Sequence, residues 1–496
     1  MKGKFGEYRF LLKPTLIMFL IYLVGISAII LAGVHYADDV ARTDLGYAGW
    51  SGFSRYSSTF LAHGIHADNY LTNVAPLPQL LAAFILAISS VILISLISGK
   101  EIFKEKWTKW ILRLIAVTPL ALCPYMLECL SYQYDSVYMA LSVFFAIMPF
   151  IFYRQKKWKF ILASVIGILG VCTTYQVSIG IYPMIVIFLM LKDWNDKKIK
   201  NKEIVKNVAI SAVVFLITLV VFQKFLMRPQ DMYVSNEIPG ISEFFPTVFK
   251  NLGHYFELLF TDFRILWLVL IVLIIIGFVV LYVIKSKRNK ILAVLMALFG
   301  VVAMGIMAYL FYAALEQPLY TTRAMYAIGA FIAIMGVYIA SGVKKELILT
   351  LPVVVLAWCF FSFSFTYGNA LKEQDTFRNM QINMVISDLN KLNDGRIRKI
   401  QSVGQIDFAP AIKHMPEREY HILRRLLKPS YETYVPWMAY RLTEASGLPN
   451  LKFDPNTNLK DKDMPVIKDT ALYIIYGDDE GVLVKFKGEE FNIWEN

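Results

Sequence analysis

The segment His35-Tyr36-Ala37-Asp38-Asp39 closes a long apolar run, and Arg42, Asp44, Trp50 and Arg55 follow it. Two neighbouring carboxylates at the mouth of an apolar helix are costly unless water or a ligand meets them. A second polar group runs from Pro124 to Ser136 and holds Glu128, Ser131, Tyr132, Gln133 and Asp135, two acids with no base. A third, Glu316 to Arg323, sets an arginine behind a proline-containing turn. Gln223-Lys224 ends another apolar run, with Arg228 beyond it and His254 in the stretch that follows. Brought together at a bilayer edge, such groups have the chemistry to move a sugar off a lipid phosphate. A carboxylate takes the proton of the attacking hydroxyl. An Arg or Lys holds the phosphate leaving group and its developing charge.

Each of these residues also has a plainer role. Asp38 and Asp39 could cap the next helix. Glu128 and Asp135 could pair with arginines of neighbouring helices. Arg323 could lie along the interface with its head in water, and His254 could be an ordinary loop histidine. Trp50 fits an interfacial aromatic belt, although its indole could also stack on a sugar.

The elements that must position these groups are membrane helices. The chain has 496 residues, 57% of them hydrophobic, and a mean hydropathy of +0.52. Runs of the ~20 apolar residues that cross a bilayer recur and then stop after Thr366. We expect about eleven spans, near 14–34, 78–99, 110–129, 136–153, 159–174, 177–192, 207–226, 264–284, 291–313, 324–341 and 347–366. The net charge of +12 is not a nucleic-acid footprint, because the bases sit in alternate short loops. These loops hold Lys2, Lys4, Arg9 and Lys13, then Lys100 to Lys109, Arg154 to Lys159, Lys197 to Lys206, Lys285 to Lys290, and Lys344 with Lys345. That pattern places the N-terminus in the cytoplasm and the acid-bearing loops outside. A sugar donor used outside must be lipid-carried, since nucleotide sugars are cytoplasmic. The four cysteines, Cys123, Cys129, Cys172 and Cys359, lie in or beside spans without metal-ligand spacing and read as inert.

Three motifs carry a family resemblance. Tyr36-Ala37-Asp38-Asp39-Val40-Ala41-Arg42, with Gly46 and Gly49-Trp50, resembles the opening of the Gtr type II glucosyltransferases, polytopic bacterial enzymes that decorate surface polysaccharides such as O-antigen. Leu127-Glu128-Cys129-Leu130-Ser131-Tyr132-Gln133-Tyr134-Asp135-Ser136 is similar to that family's second marked segment. There Asn commonly stands at the Cys129 position and Arg at the Gln133 position. The Arg323 segment resembles a third family position. The resemblance implies a GT-C fold, a polyprenyl-phosphate sugar donor, in bacteria undecaprenyl phosphate, and direct displacement at the anomeric carbon with one general base. It implies Asp39 as that base with Asp38 as the alternate, and Arg42, Lys224 and Arg323 as phosphate contacts. Glu128, Tyr132, Asp135 and Trp50 become candidates for sugar or acceptor binding. No metal is required, though the carboxylates could hold a divalent cation. The expected partners are the lipid-linked donor, a surface glycan acceptor, the bilayer, a donor-synthesising glycosyltransferase and a small flippase.

Residues 1–371 are expected to form the membrane domain and 372–496 a small outer α/β or α+β domain. There Gln374–Asn393 has helical spacing, Lys399–Ile406 reads as a strand, and Glu417–Leu427 and Tyr434–Ser446 as helices. Leu472–Tyr476 and Val482–Phe486 read as a hairpin. Rival functions are a flippase or transporter of lipid-linked saccharides, a membrane acyltransferase, and a glycan polymerase or ligase. A transporter would place its charges near mid-membrane, and all six histidines fall outside the spans, away from where an acyltransferase needs one.

Overall fold

The computed structural model describes residues 9–227, 237–342, 347–392, 394–427, 438, 441–445, 447–454, 456–460 and 462–488. Lys2, Lys4, Arg228, Lys344, Lys345 and most of the helix expected over Tyr434–Ser446 lie outside them. The chain divides into two compact units, Met1–Ile30 with Tyr47–Phe365, and Leu31–Gly46 with Thr366–Asn496. The segment that bears Asp38 and Asp39 groups with the C-terminal residues.

The first unit is a helical membrane domain. Among the described residues, seven helices are long and apolar enough to cross a bilayer: Leu77–Ser98, Lys157–Thr174, Gln176–Asp196, Asn201–Leu226, Ile265–Lys285, Lys290–Met307 and Ile348–Asn390. The other four expected spans take different forms. Leu12–Gly25 breaks before Ser27–Ala32. Ile111–Leu122 and Pro124–Ser131 form a pair bent by 61°. Proline at 124 biases Cys123 away from helical backbone, and Cys123 stands at φ −56°, ψ 135°. Ser136–Phe152 and Ala327–Gly342 are apolar but shorter. From Ala327 to Ala340 every residue is buried, so this helix meets protein along its length. A side chain at Gly329 would run into the Pro119 carbonyl oxygen. That close approach sets the head of the Ala327 helix against the bend.

The stretch expected as an outer loop, 227–263, contains the helix Ile241–Asp262. It buries Val248, Leu252, Tyr255 and Leu259 and exposes Ile241, Phe245, Phe249 and Phe260. A helix with apolar groups on the outside as well suits a bilayer surface.

The second unit holds a five-stranded mixed sheet, with β1 Arg398–Gln405, β2 Leu451–Phe453, β3 Val466–Asp469, β4 Tyr473–Gly477 and β5 Gly481–Lys487, in the order β2-β1-β5-β4-β3. β1 pairs parallel with β2 and β5, while β4 runs antiparallel to β5 and β3. The expected hairpin is β4–β5, and the Asp478 carboxylate closes its turn by accepting from the Glu480 and Gly481 amides, both at 2.8 Å. Central β5 buries Val482, Leu483 and Val484 in succession, as a strand covered on both faces does. Ile382, Val385 and Leu389 pack with Ile400, Ile475 and Val484 in one core. Their three- and four-residue spacing lines one face of the helix Leu351–Asn390. That helix is continuous where a span and a separate helix were expected. No proline interrupts 367–373, and Gly368 alone costs a helix only about 1 kcal/mol. The helix expected over Glu417–Leu427 is two short ones, His414–Arg418 and Ile422–Leu427.

Candidate functional site

In the first unit the bent pair presents Glu128 near the end of its second arm, and Glu128 is fully buried. Its carboxylate accepts a hydrogen bond from the Thr322 hydroxyl. The next residue, Arg323, is 8% exposed. Its guanidinium donates to the Tyr132 hydroxyl and lies 5.7 Å from the centre of the Tyr132 ring. The Arg323 carbonyl accepts from Tyr175 Oη at 3.4 Å and faces Cys129 Sγ at 3.9 Å. Asp135 precedes the helix Ser136–Ile147 but does not cap it. Its Oδ1 accepts instead from Trp50 Nε1 at 2.5 Å. Trp50 also packs edge-on against Tyr138 at 5.0 Å. Three stretches of sequence thus converge, bringing together Trp50, Glu128, Tyr132, Asp135 and Arg323. Trp50 is buried to 1% exposure, with its ring edge engaged by protein, and the Arg323 guanidinium is turned to Tyr132.

Beside this cluster lies a cavity of about 270 Å³. Its walls are mostly apolar, with Phe53, Leu219, Phe222, Phe311 and Leu319. Arg55, Gln176 and Arg323 supply polar groups. Arg55 Nε donates to Gln176 Oε1 at 3.2 Å, and its guanidinium lies 4.6 Å from the Tyr175 ring centre. The sequence reading named neither Thr322 nor Arg55 as a site residue. The available signal was their place beside Arg323 and Trp50 in the polar segments. Lys224 is exposed on the π-helical turn Phe222–Leu226 and is not among the lining residues, although its neighbour Gln223 is. His254 is on the helix Ile241–Asp262, 3.2 Å from Glu257.

The acidic pair belongs to the second unit. Asp38 precedes the short helix Asp39–Leu45 without capping it, and Gly46 ends the helix in the left-handed region at φ 63°. Asp39 is fully buried, and its Oδ2 accepts from the Tyr36 amide at 3.2 Å. Asp38 is one-third exposed, at 33%, and lies 4.0 Å from Arg42. The segment is tied down by Tyr36, whose hydroxyl donates to the Leu426 carbonyl at 2.6 Å, and by the Thr43–His35 contact at 2.9 Å. On the same helix, burial pushes the Asp44 carboxyl above its ordinary range, against the pull of Arg441 and His35. Among the described residues no three of His, Cys, Asp and Glu stand together as metal ligands.

Fold and site together define a polytopic membrane protein that buries ionisable groups where its helices begin and end. Charges so placed pair with one another or line a functional cavity. The sequence model of the family described as glucosyl transferase GtrII matches residues 27–337, and the chain belongs to that family. That stretch contains every site residue named above from Asp38 to Arg323. An uncharacterized 55.3 kDa protein encoded in the gtrB 5′ region of Salmonella phage P22 is 26% identical over 194 residues, covering 39% of this chain and 38% of the phage protein. No solved structure gives a significant match.

Proposed function

We propose that this chain is a GT-C-like membrane glycosyltransferase. It moves a hexose, glucose or a close relative, from a polyprenyl-phosphate donor such as undecaprenyl phosphate-sugar to a cell-surface polysaccharide. The reaction takes place at the outer face of the bacterial cytoplasmic membrane, with the N-terminus in the cytoplasm and the C-terminal unit outside. The acceptor hydroxyl oxygen forms a bond to the anomeric carbon as the bond from that carbon to the phosphate oxygen breaks. The electron pair leaves with the phosphate, and the hydroxyl proton passes to a carboxylate. Asp39 is the proposed base, with Asp38, the more exposed of the two, as alternate. Arg323, Arg42 and Lys224 are the proposed phosphate contacts. Glu128, Tyr132, Asp135 and Trp50 hold sugar hydroxyls or orient Arg323.

The observation that carries this reading is the convergence of Glu128 with Thr322 and of Tyr132 with Arg323, 194 and 191 residues apart in sequence, within the stretch that matches the glucosyltransferase family. An arginine buried against a mostly apolar cavity suits a phosphate attached to a lipid. The test is transfer by purified, reconstituted protein from radiolabelled polyprenyl-phosphate glucose, or its N-acetylglucosamine counterpart, to cell-envelope glycan. Label in the glycan supports the transferase. Absence of transfer from any single-sugar lipid, with lipid-linked oligosaccharide crossing the vesicle instead, would make the protein a flippase.

A further inference from the structure

Inside the second unit lies a cavity of about 310 Å³ that the chemistry above does not use. One wall is the helix that begins with the Asp38-Asp39 pair, and it contributes Asp44. Another wall is the helix Leu351–Asn390, which contributes Asp375, Asn379, Ile382 and Ile386. Those four recur at helical spacing on one face. Gly33, His35, Val40 and Arg441 complete the lining. The polar groups are already in sequence with one another: Asn379 Nδ2 donates to Asp375 Oδ2 at 2.9 Å, and Arg441 donates to Asn379 Oδ1 at 3.5 Å.

The chemistry of this lining selects its ligand. A phosphate would meet Arg441 and His35 but be repelled by Asp44 and by Asp375, a carboxylate that Arg378 already engages. A metal ion would meet the carboxylates but be repelled by the guanidinium. A hydroxyl serves both, donating to Asp44 and Asp375 and accepting from Arg441 and Asn379. Ile382 and Ile386 offer the apolar patch that the C–H face of a sugar ring covers. The volume lies at the small end of the range for ligand pockets, about 300–1,000 Å³, which suits a sugar residue better than a long chain. We propose that this cavity is a saccharide subsite that holds a residue of the acceptor glycan next to the helix carrying the acidic pair. The assignment deepens the transferase reading and rests on it for the word acceptor. Binding of a neutral saccharide rests on the cavity alone.

The experiment uses the full chain in nanodiscs and short oligosaccharides released by mild acid from cell-envelope polysaccharide, with binding read by saturation-transfer NMR in the absence of any donor. Asp44→Asn and Asn379→Ala should each weaken binding at least about tenfold, the scale of one lost charge-assisted or buried hydrogen bond. Lys462→Ala, on the β-sheet side of the unit and outside the cavity, should leave it unchanged. In the transfer assay the same two cavity variants should raise the acceptor KM and leave the donor KM alone. Unfolding midpoints measured on each variant separate lost binding from lost fold. An Ile386→Trp variant, which fills the cavity, gives a second route to the same loss. Oligosaccharide binding that depends on Asp44, in a protein that transfers nothing, would keep the subsite and discard the transferase. Transfer with unchanged acceptor KM in all three cavity variants would discard the subsite and keep the transferase. Binding of inorganic phosphate or calcium that is lost in Asp44→Asn, with none of oligosaccharide, would also overturn it.

Discussion

The polar cluster of the membrane unit and the ion pairs around the C-terminal sheet handle charge in opposite ways. In the membrane unit, Glu128, Asp135 and Arg323 are at most 8% exposed, and their partners include Thr322, Trp50 and Tyr132, a hydroxyl, an indole and a phenol. In the C-terminal unit, ion pairs are plentiful and wet: Arg396 with Asp479, Lys462 with Asp478 and Glu480, Lys399 with Asp454, Lys487 with Asp469. Wet pairs cost little to form and contribute little. Charges buried among apolar helices are expensive to place, so a fold that keeps two of them on one short polar segment and draws a third in from 191 residues away, against Tyr132, is using them. Asp38 and Asp39 share features of both regions. They sit in the unit with wet charges, yet Asp39 is as buried as Glu128.

The sharpest way to break this contrast is to neutralise the acidic pair. Asp39→Asn keeps the shape and can still accept from the Tyr36 amide, so the fold and membrane insertion should survive. Transfer should fall by about 10²–10⁴-fold, the contribution of a positioned base. Normal rates in both Asp38→Asn and Asp39→Asn would sink the base assignment. Next in size, Arg323→Ala removes charge-assisted contacts worth about 1.5–3 kcal/mol. The donor KM should rise by roughly 10–100-fold while the acceptor KM holds. A donor KM that does not move would take Arg323 out of phosphate binding. Smaller again is Trp50→Phe, which keeps the packing on Tyr138 but withdraws the N–H from Asp135. Loss of one hydrogen bond to a carboxylate should lower thermal stability by about 1.5–3 kcal/mol. An unchanged unfolding midpoint would mean that solvent or another group replaces the indole without loss.

Much of this was readable from residue order, because the signals are local. Apolar length marked the seven long helices, and a polar run between two alternating stretches marked the β4–β5 hairpin. The polar segments around Glu128 and Arg323 stood out because acids and bases are rare beside such runs. The rest depends on partners distant in sequence. Nothing near Tyr36 announces that its hydroxyl bonds the Leu426 carbonyl, so the segment 31–46 read as part of the membrane domain. The bend at Cys123–Pro124 reads as one span because its apolar content is unbroken. The helix Ile241–Asp262 was written in the three- and four-residue spacing of Phe245, Val248, Phe249, Leu252, Phe256 and Leu259, but Pro246 inside it and its lack of an unbroken apolar run made the stretch read as a loop.

The finest test of the contrast lies within the C-terminal unit, where two carboxylates are shifted in opposite senses. Arg398 grips Asp394 with two hydrogen bonds, at 2.8 and 2.7 Å, and holds its carboxyl below the ordinary range. A depressed folded-state pKa stabilises above the unfolded value, about 3.9, and that stability is lost as pH falls through the folded one. Asp394→Asn should therefore lower the unfolding midpoint at neutral pH, and the difference from wild type should close as pH drops below about 4. Asp44 reverses the sign. Burial raises its carboxyl, so the ionised form is a burden at neutral pH, relieved as pH falls through its raised value. Asp44→Asn should raise the midpoint at neutral pH, with the advantage fading on acidification. If Asp44→Asn instead lowers the midpoint at neutral pH, its pairing with Arg441 and His35 outweighs its burial. The cavity would then be a structural ion-pair site rather than a place where stability is given up for binding.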